Sequence, residues 1–130
     1  MASIFTKIIN GEIPSYKIAE TDEFYAFLDI NPNAKGHTLC IPKQEVNRLF
    51  DLDKETYDGL LEFSRTVALG LREAVPCKRV GMAVIGLEVP HVHVHLIPLN
   101  HMGEMTFQEK VSLSPEEFEA TAAAIRAQLK

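Results

Sequence analysis

Three of the chain's five histidines fall in one short run, His91-Val92-His93-Val94-His95, followed by Leu96-Ile97 and Pro98. An extended chain sends successive side chains to opposite faces, so the three imidazoles share one face while Val92, Val94 and Leu96 share the other. Successive rings on that face stand roughly 7 Å apart by the rise of a strand. Such strict alternation is hard to explain as packing. Two chemistries suit it. Neutral imidazoles ligate zinc and its neighbours, with further ligands drawn from elsewhere in the chain. Alternatively, one neutral imidazole attacks an electrophilic phosphorus while its neighbour carries the leaving group's proton. An unperturbed pKa near ~6.5 makes both protonation states available at neutral pH. Spacing alone leaves the two open.

The flanking residues predict the elements that carry this run. His91 to Ile97 reads as a strand ended by Pro98, and Val80 to Ile85 as a buried strand closed by a turn at Gly86. Ser3 to Asn10 reads as a short helix capped by Ser3 and stopped by Asn10-Gly11. Tyr16 to Ala19 and Phe24 to Asp29 form a predicted hairpin around Thr21-Asp22. His37 to Ile41 follows as a strand, entered from Asn31-Pro32-Asn33 and ended by Pro42. Lys54 to Ala74 is the clearest helix: Leu60, Ser64, Val67, Leu71 and Val75 keep the 3.6 period behind an Asp53 cap. Ser114-Pro115-Glu116-Glu117 opens a last helix with an apolar stripe of Phe118, Ala122, Ile125 and Leu129. Hairpins with a long helix between them predict an α+β fold, a single domain over residues 1–130 with an antiparallel sheet of about five strands and a C-terminal helical segment at 114–129.

Composition narrows the partners. A net charge of -5 argues against a nucleic acid polymer, though not against a single nucleotide, which needs only local donors. Cys40 and Cys77 are far apart and in no metal-type spacing. No apolar run approaches the ~18–20 residues of a spanning helix, and Met1-Ala2-Ser3 begins no signal peptide. The expectation is a cytoplasmic protein with no membrane partner.

Further stretches carry a resemblance: Ile4-Phe5-Thr6-Lys7-Ile8-Ile9-Asn10-Gly11-Glu12-Ile13-Pro14, Ala26-Phe27-Leu28-Asp29-Ile30-Asn31-Pro32, and Gly36-His37-Thr38-Leu39-Cys40-Ile41-Pro42-Lys43. With the histidine run, they make the chain, over about residues 3–98, resemble the histidine-triad (HIT) superfamily, in its nucleotide-binding branch. The resemblance implies a metal-independent, cofactor-free hydrolase, a phosphoramidase that cleaves nucleoside 5′-phosphoramidates or related esters at the α-phosphate. His93 is then the nucleophile of a nucleotidyl-histidine intermediate. His95 contacts the phosphate or leaving group, the His91 carbonyl holds the His93 ring in its reactive tautomer, and His37 supports the site. Asp29 accepts from ribose hydroxyls, and Phe5, Ile8, Ile13, Phe27 and Ile30 clasp a purine base. Positive charge on the histidines, with backbone donors, is expected to stabilise the phosphoryl oxygens. A homodimer is implied as well, with the long helix, through an exposed Leu61 or Phe63, as a candidate surface.

The chain departs from that pattern twice. Relatives' structural zinc ligands fall here at Ser3, Thr6 and Glu45, so no metal is expected. Ahead of the triad, Ile85, Leu87 and Glu88 replace residues that donate to phosphate. A carboxylate cannot donate and repels phosphate, so Glu88 either turns outward or pairs with a cationic leaving group such as a lysine-like amine. The rival readings are a dinucleoside polyphosphate hydrolase, a nucleotide-binding protein with negligible turnover, and a metal-binding module.

Overall fold

The computed structural model describes residues 2–129. Five strands form one antiparallel sheet: β1 (Lys17–Glu20), β2 (Phe24–Leu28), β3 (Thr38–Pro42), β4 (Arg79–Ala83) and β5 (Val94–Leu99), in the order β1-β2-β3-β5-β4. Helix α1 (Ile4–Ile9) precedes the sheet, α2 (Lys54–Ala74) joins β3 to β4, and α3 (Pro115–Gln128) follows it. The fold is α+β, as the pattern of elements predicts.

The sheet is covered on both faces, and the period of two sorts its side chains. Phe24, Ala26, Leu28, Cys40, Val94 and Leu96 face the larger core with Leu60, Val67 and Leu71 of α2 and Phe118, Ala122 and Ile125 of α3. Tyr25, Phe27, Leu39 and Ile41 face the other way, under Phe5 and Ile8 of α1. Fully burying each large aliphatic or aromatic side chain contributes about 1.5–3 kcal/mol. Both long helices begin on side-chain caps. Asp53 accepts from the Thr56 amide, and Ser114 and Glu117 accept reciprocally from each other's backbone N–H.

Several boundaries differ from the sequence-based expectation. The strand predicted at Val80 to Ile85 is not buried: it runs Arg79–Ala83 at the sheet edge, half exposed, because only β5 pairs with it. The first hairpin strand is shifted to Lys17–Glu20. Pro42 and Pro98 lie inside β3 and β5 rather than beyond them. Each pairs with one neighbour only, Phe24 and Val80 respectively, so its missing N–H breaks no ladder on the open side. Conversely, His91 to His93 precede β5, although the alternation persists: Val92 lies in the larger core while the His91 and His93 rings meet Phe5 across the sheet. Leu61 and Phe63 are half-buried, and Phe63 stacks on Phe24 at 5.5 Å between ring centres, so the helix stripe is wider than its periodic core positions. Leu129 caps α3, and Thr121 joins the buried stripe.

One turn matters for the site. Gly36, at φ +95°, lies in the left-handed region, where a Cβ would stand 3.0 Å from Val75 Cγ2 and 3.1 Å from Leu71 Cδ1. The next residue is His37, wholly buried at the head of β3.

Candidate active site

The site lies where the triad segment enters β5, on the α1 side of the sheet. Register places His95 opposite Leu39 of β3, and the His93 and His95 rings meet edge-on, 5.0 Å between centres. Both line a cleft of about 550 Å³ and are nearly buried themselves.

Backbone groups set the protons on these rings. Nδ1 of His93 lies 2.7 Å from the His91 carbonyl, which can only accept, so Nδ1 carries the proton. Nε2 of His93 is then left with a free lone pair. The neighbouring ring has the opposite arrangement. The Asn33 amide donates to His37 Nδ1 at 3.0 Å, so the His37 proton sits on Nε2, which donates to His95 Nδ1 at 2.9 Å. His95 Nδ1 is thus an acceptor, and its proton is on Nε2. One ring offers a lone pair, the next an N–H.

The His37 and His95 rings are not charged reserves, contrary to the expectation of cationic histidines. Burial, reinforced by the charge of His95, pushes the His37 pKa down to about 3. Burial and then the charge of His93 push His95 down to about 4. His91 is lowered too, by burial first. A ring removed from water loses the hydration of its charged form. His37 and His95 therefore act at neutral pH as neutral hydrogen-bonding groups.

His91 does not line the cleft. Its Nε2 donates to the Pro42 carbonyl at 2.8 Å, which leaves Nδ1 to accept from the Ser3 hydroxyl at 2.7 Å. Ser3 Oγ also accepts from the Thr6 amide at 3.1 Å, capping α1. The Ser3 amide and Thr6 hydroxyl both donate to one oxygen of Glu45, at 2.6 and 2.7 Å, and these bonds lower the Glu45 pKa. Ser3, Thr6, Glu45 and His91 thus converge. Three oxygen-bearing side chains and one imidazole are a poor match for zinc's preference for Cys and His, and each is already held by protein partners. Elsewhere among the described residues, Asp29, His37 and His95 bring potential metal-ligand atoms within 4.8 Å of one another, and two of those rings are already hydrogen-bonded together.

Asp29 lines the cleft, half-buried. It accepts from the Asn31 amide at 2.9 Å and lies 3.6 Å from His37 Nε2, and burial raises its pKa. Of the five apolar residues singled out by resemblance, Phe5 alone is in the cleft lining, edge-on to His93 at 5.0 Å. Ile8 and Phe27 are buried behind it, Ile13 packs at the edge of the same cluster, and Ile30 is 73% exposed. Glu88 is exposed at the cleft, beside Leu87 at 90% exposure.

Ile4, Leu39, Asn31, Thr106, Phe107 and Lys110 also line the cleft and escaped sequence reasoning. The stretch from Asn100 to Leu113 has no periodicity to read. Asn33 was legible only as a turn residue, although its amide sets the His37 tautomer.

The HIT domain family model matches residues 10–102. Over 98 residues the chain is 41% identical to the adenosine 5′-monophosphoramidase of Saccharomyces cerevisiae, covering 75% of this chain but only 62%, less than two thirds, of that protein. It is 35% identical to the Schizosaccharomyces pombe adenosine 5′-monophosphoramidase over 134 residues, covering 100% of each. In three dimensions it is similar to a Hit-like protein from Bartonella henselae, with a TM-score of 0.85 and 32% identity over 98% of this chain and 96% of that one.

Proposed function

We propose, from the premise that this chain belongs to the HIT domain family, that it is a hydrolase of nucleoside 5′-phosphoramidates and related nucleotide esters, with His93 as nucleophile. The observation that carries this is the opposite protonation of two adjacent rings: a lone pair on His93 Nε2 and a proton on His95 Nε2. The yeast relatives' activity supports the substrate class.

In the first step the His93 Nε2 lone pair attacks the α-phosphorus and the bond from phosphorus to the amine breaks. The amine nitrogen takes its proton from solvent and leaves as the free amine, while His95 Nε2–H donates a hydrogen bond to a phosphoryl oxygen and His37 Nε2–H continues to hold His95 Nδ1. In the second step water attacks the phosphorus, the phosphorus–His93 bond breaks to return the neutral His93 ring, and the proton lost by water passes to solvent. The products are a nucleoside 5′-monophosphate and an amine. Asp29 accepts from ribose hydroxyls, Phe5 offers a face to the base, and Glu88 at the rim favours a cationic amine as leaving group. Phosphoryl oxygens are met by neutral ring and backbone donors around the cleft.

Quenching a reaction with adenosine 5′-monophosphoramidate and mapping peptides by mass spectrometry tests this. The expected result is an acid-labile nucleotidyl adduct on His93. Turnover with no adduct on His93 at any time would overturn it. A non-hydrolytic nucleotide-binding role is favoured by one observation: the exposed Leu87 and Glu88 bring no side-chain N–H donor to the phosphate. Binding without turnover would select that reading.

Family membership supports two further readings. A homodimer is tested by sedimentation equilibrium, in which a monomer at working concentration would reject it. No helix among the described residues is long and apolar enough to cross a membrane, and cytoplasmic location is tested by cell fractionation.

A further inference from the structure

Residues 106–110 lie beyond the stretch matched by the family model, yet they fold back onto the histidines. Phe107 adopts φ 63°, a left-handed conformation that a bulky residue rarely takes. There its ring packs edge-on to His95 at 4.8 Å and to His37 at 6.0 Å. The segment is tied to the turn before β3: the Val111 amide donates to the Pro32 carbonyl at 3.0 Å, and Asn33 Nδ2 to the Glu104 carbonyl at 2.8 Å.

Lys110 is the one Lys or Arg among the described residues that line the cleft. Its Nζ donates to Asn33 Oδ1 at 2.7 Å and to the Asn31 carbonyl at 3.1 Å, and lies 5.3 Å from the centre of the Phe107 ring. Both acceptors are neutral, and among the ion pairs of the described residues Lys110 takes part in none. The ammonium is therefore held in place by neutral acceptors, without a direct ion pair, in a cleft whose carboxylate Asp29 feels its charge and whose buried His95 ring is neutral. A fixed cation in such a place, free of a direct ion pair, is an anion contact.

We propose that Lys110, steadied by Asn33 and Phe107, is a substrate-binding residue that pairs with the phosphate oxygens of the nucleotide. This rests on the nucleotide-site reading above and adds to it a contact from outside the family match. It predicts a phosphate-specific contribution to binding and none to recognition of base or ribose.

Titration calorimetry with adenosine 5′-monophosphate and with adenosine, on the full chain, tests it. Lys110→Gln should weaken binding of the monophosphate on the order of tenfold, in a salt-dependent way. Its affinity for adenosine should not change. Lys110→Arg should restore most of the loss, since it keeps the charge. Equal weakening for both ligands, or no weakening for either, overturns the Lys110 assignment while leaving the nucleotide site standing. A parent protein that binds neither ligand overturns both.

Discussion

The carbonyl oxygen of His91 accepts a 2.7 Å hydrogen bond from Nδ1 of His93. This contact between residues two apart decides which nitrogen of His93 keeps a proton. It also makes His91 a positioning residue rather than a reacting one, because its own ring is engaged by Pro42 and Ser3.

Replacing His93 removes the only lone pair that this arrangement presents to phosphorus. His93→Ala should lower kcat on adenosine 5′-monophosphoramidate by at least ~1,000-fold. Binding of adenosine 5′-monophosphate should weaken far less, which calorimetry on the same variant measures. A variant retaining the parental kcat would remove the nucleophile from the mechanism.

The depressed histidines make stability depend on pH. Above the ordinary value of 6.5, His37 and His95 are neutral whether the chain is folded or not, and their contribution is fully present. As pH falls below 6.5 the unfolded chain takes up protons that the buried rings refuse, so stability is lost, down to about 4 for His95 and about 3 for His37. Each ring costs about 1.4 kcal/mol per pH unit within its window. The raised pKa of Asp29 opposes this slope in the acid part of the range, since there the folded state holds the extra proton. Urea midpoints between about pH 4 and 7.5 measure the sum, and His37→Gln should flatten the slope. An unaltered slope in that variant would count against the neutral relay.

Ser3 does two things with one hydroxyl: it caps α1 through the Thr6 amide and donates to the buried His91 Nδ1. Ser3→Ala loses the cap and leaves a buried acceptor unpaired, at a combined cost of about 2–3 kcal/mol. Ser3→Thr keeps the hydroxyl and should recover most of that. Chemical denaturation of the parent and both variants checks these statements, and a Ser3→Ala midpoint identical to the parent's would refute the role.

Glu88 is exposed at the cleft, where an ion pair with a substrate amine is weak. Glu88→Ser should lower kcat/KM on a lysine phosphoramidate relative to the unsubstituted phosphoramidate by on the order of 2–5-fold, the range of an exposed pair. Equal effects on both substrates would reject selection of cationic amines.

What could be read along the chain was whatever acts over a few residues. The facing of His91, His93 and His95 away from Val92, Val94 and Leu96 follows from a period of two, and the span of α2 from a period of 3.6 with Asp53 ahead of it. The Ser114–Glu117 cap is likewise local. Tertiary structure alone decided the rest. The His93 proton is set by the His91 carbonyl two residues away, but His37 reaches His95 across 58 positions and Ser3 reaches His91 across 88, so no local pattern contains the protons on His95 and His91. Resemblance grouped Phe5 with Phe27 and Ile30, but burial separated wall from core and from surface. It was also burial that made the His37 and His95 rings neutral, because the cost of charging an imidazole depends on the water it has lost, and residue type does not record that.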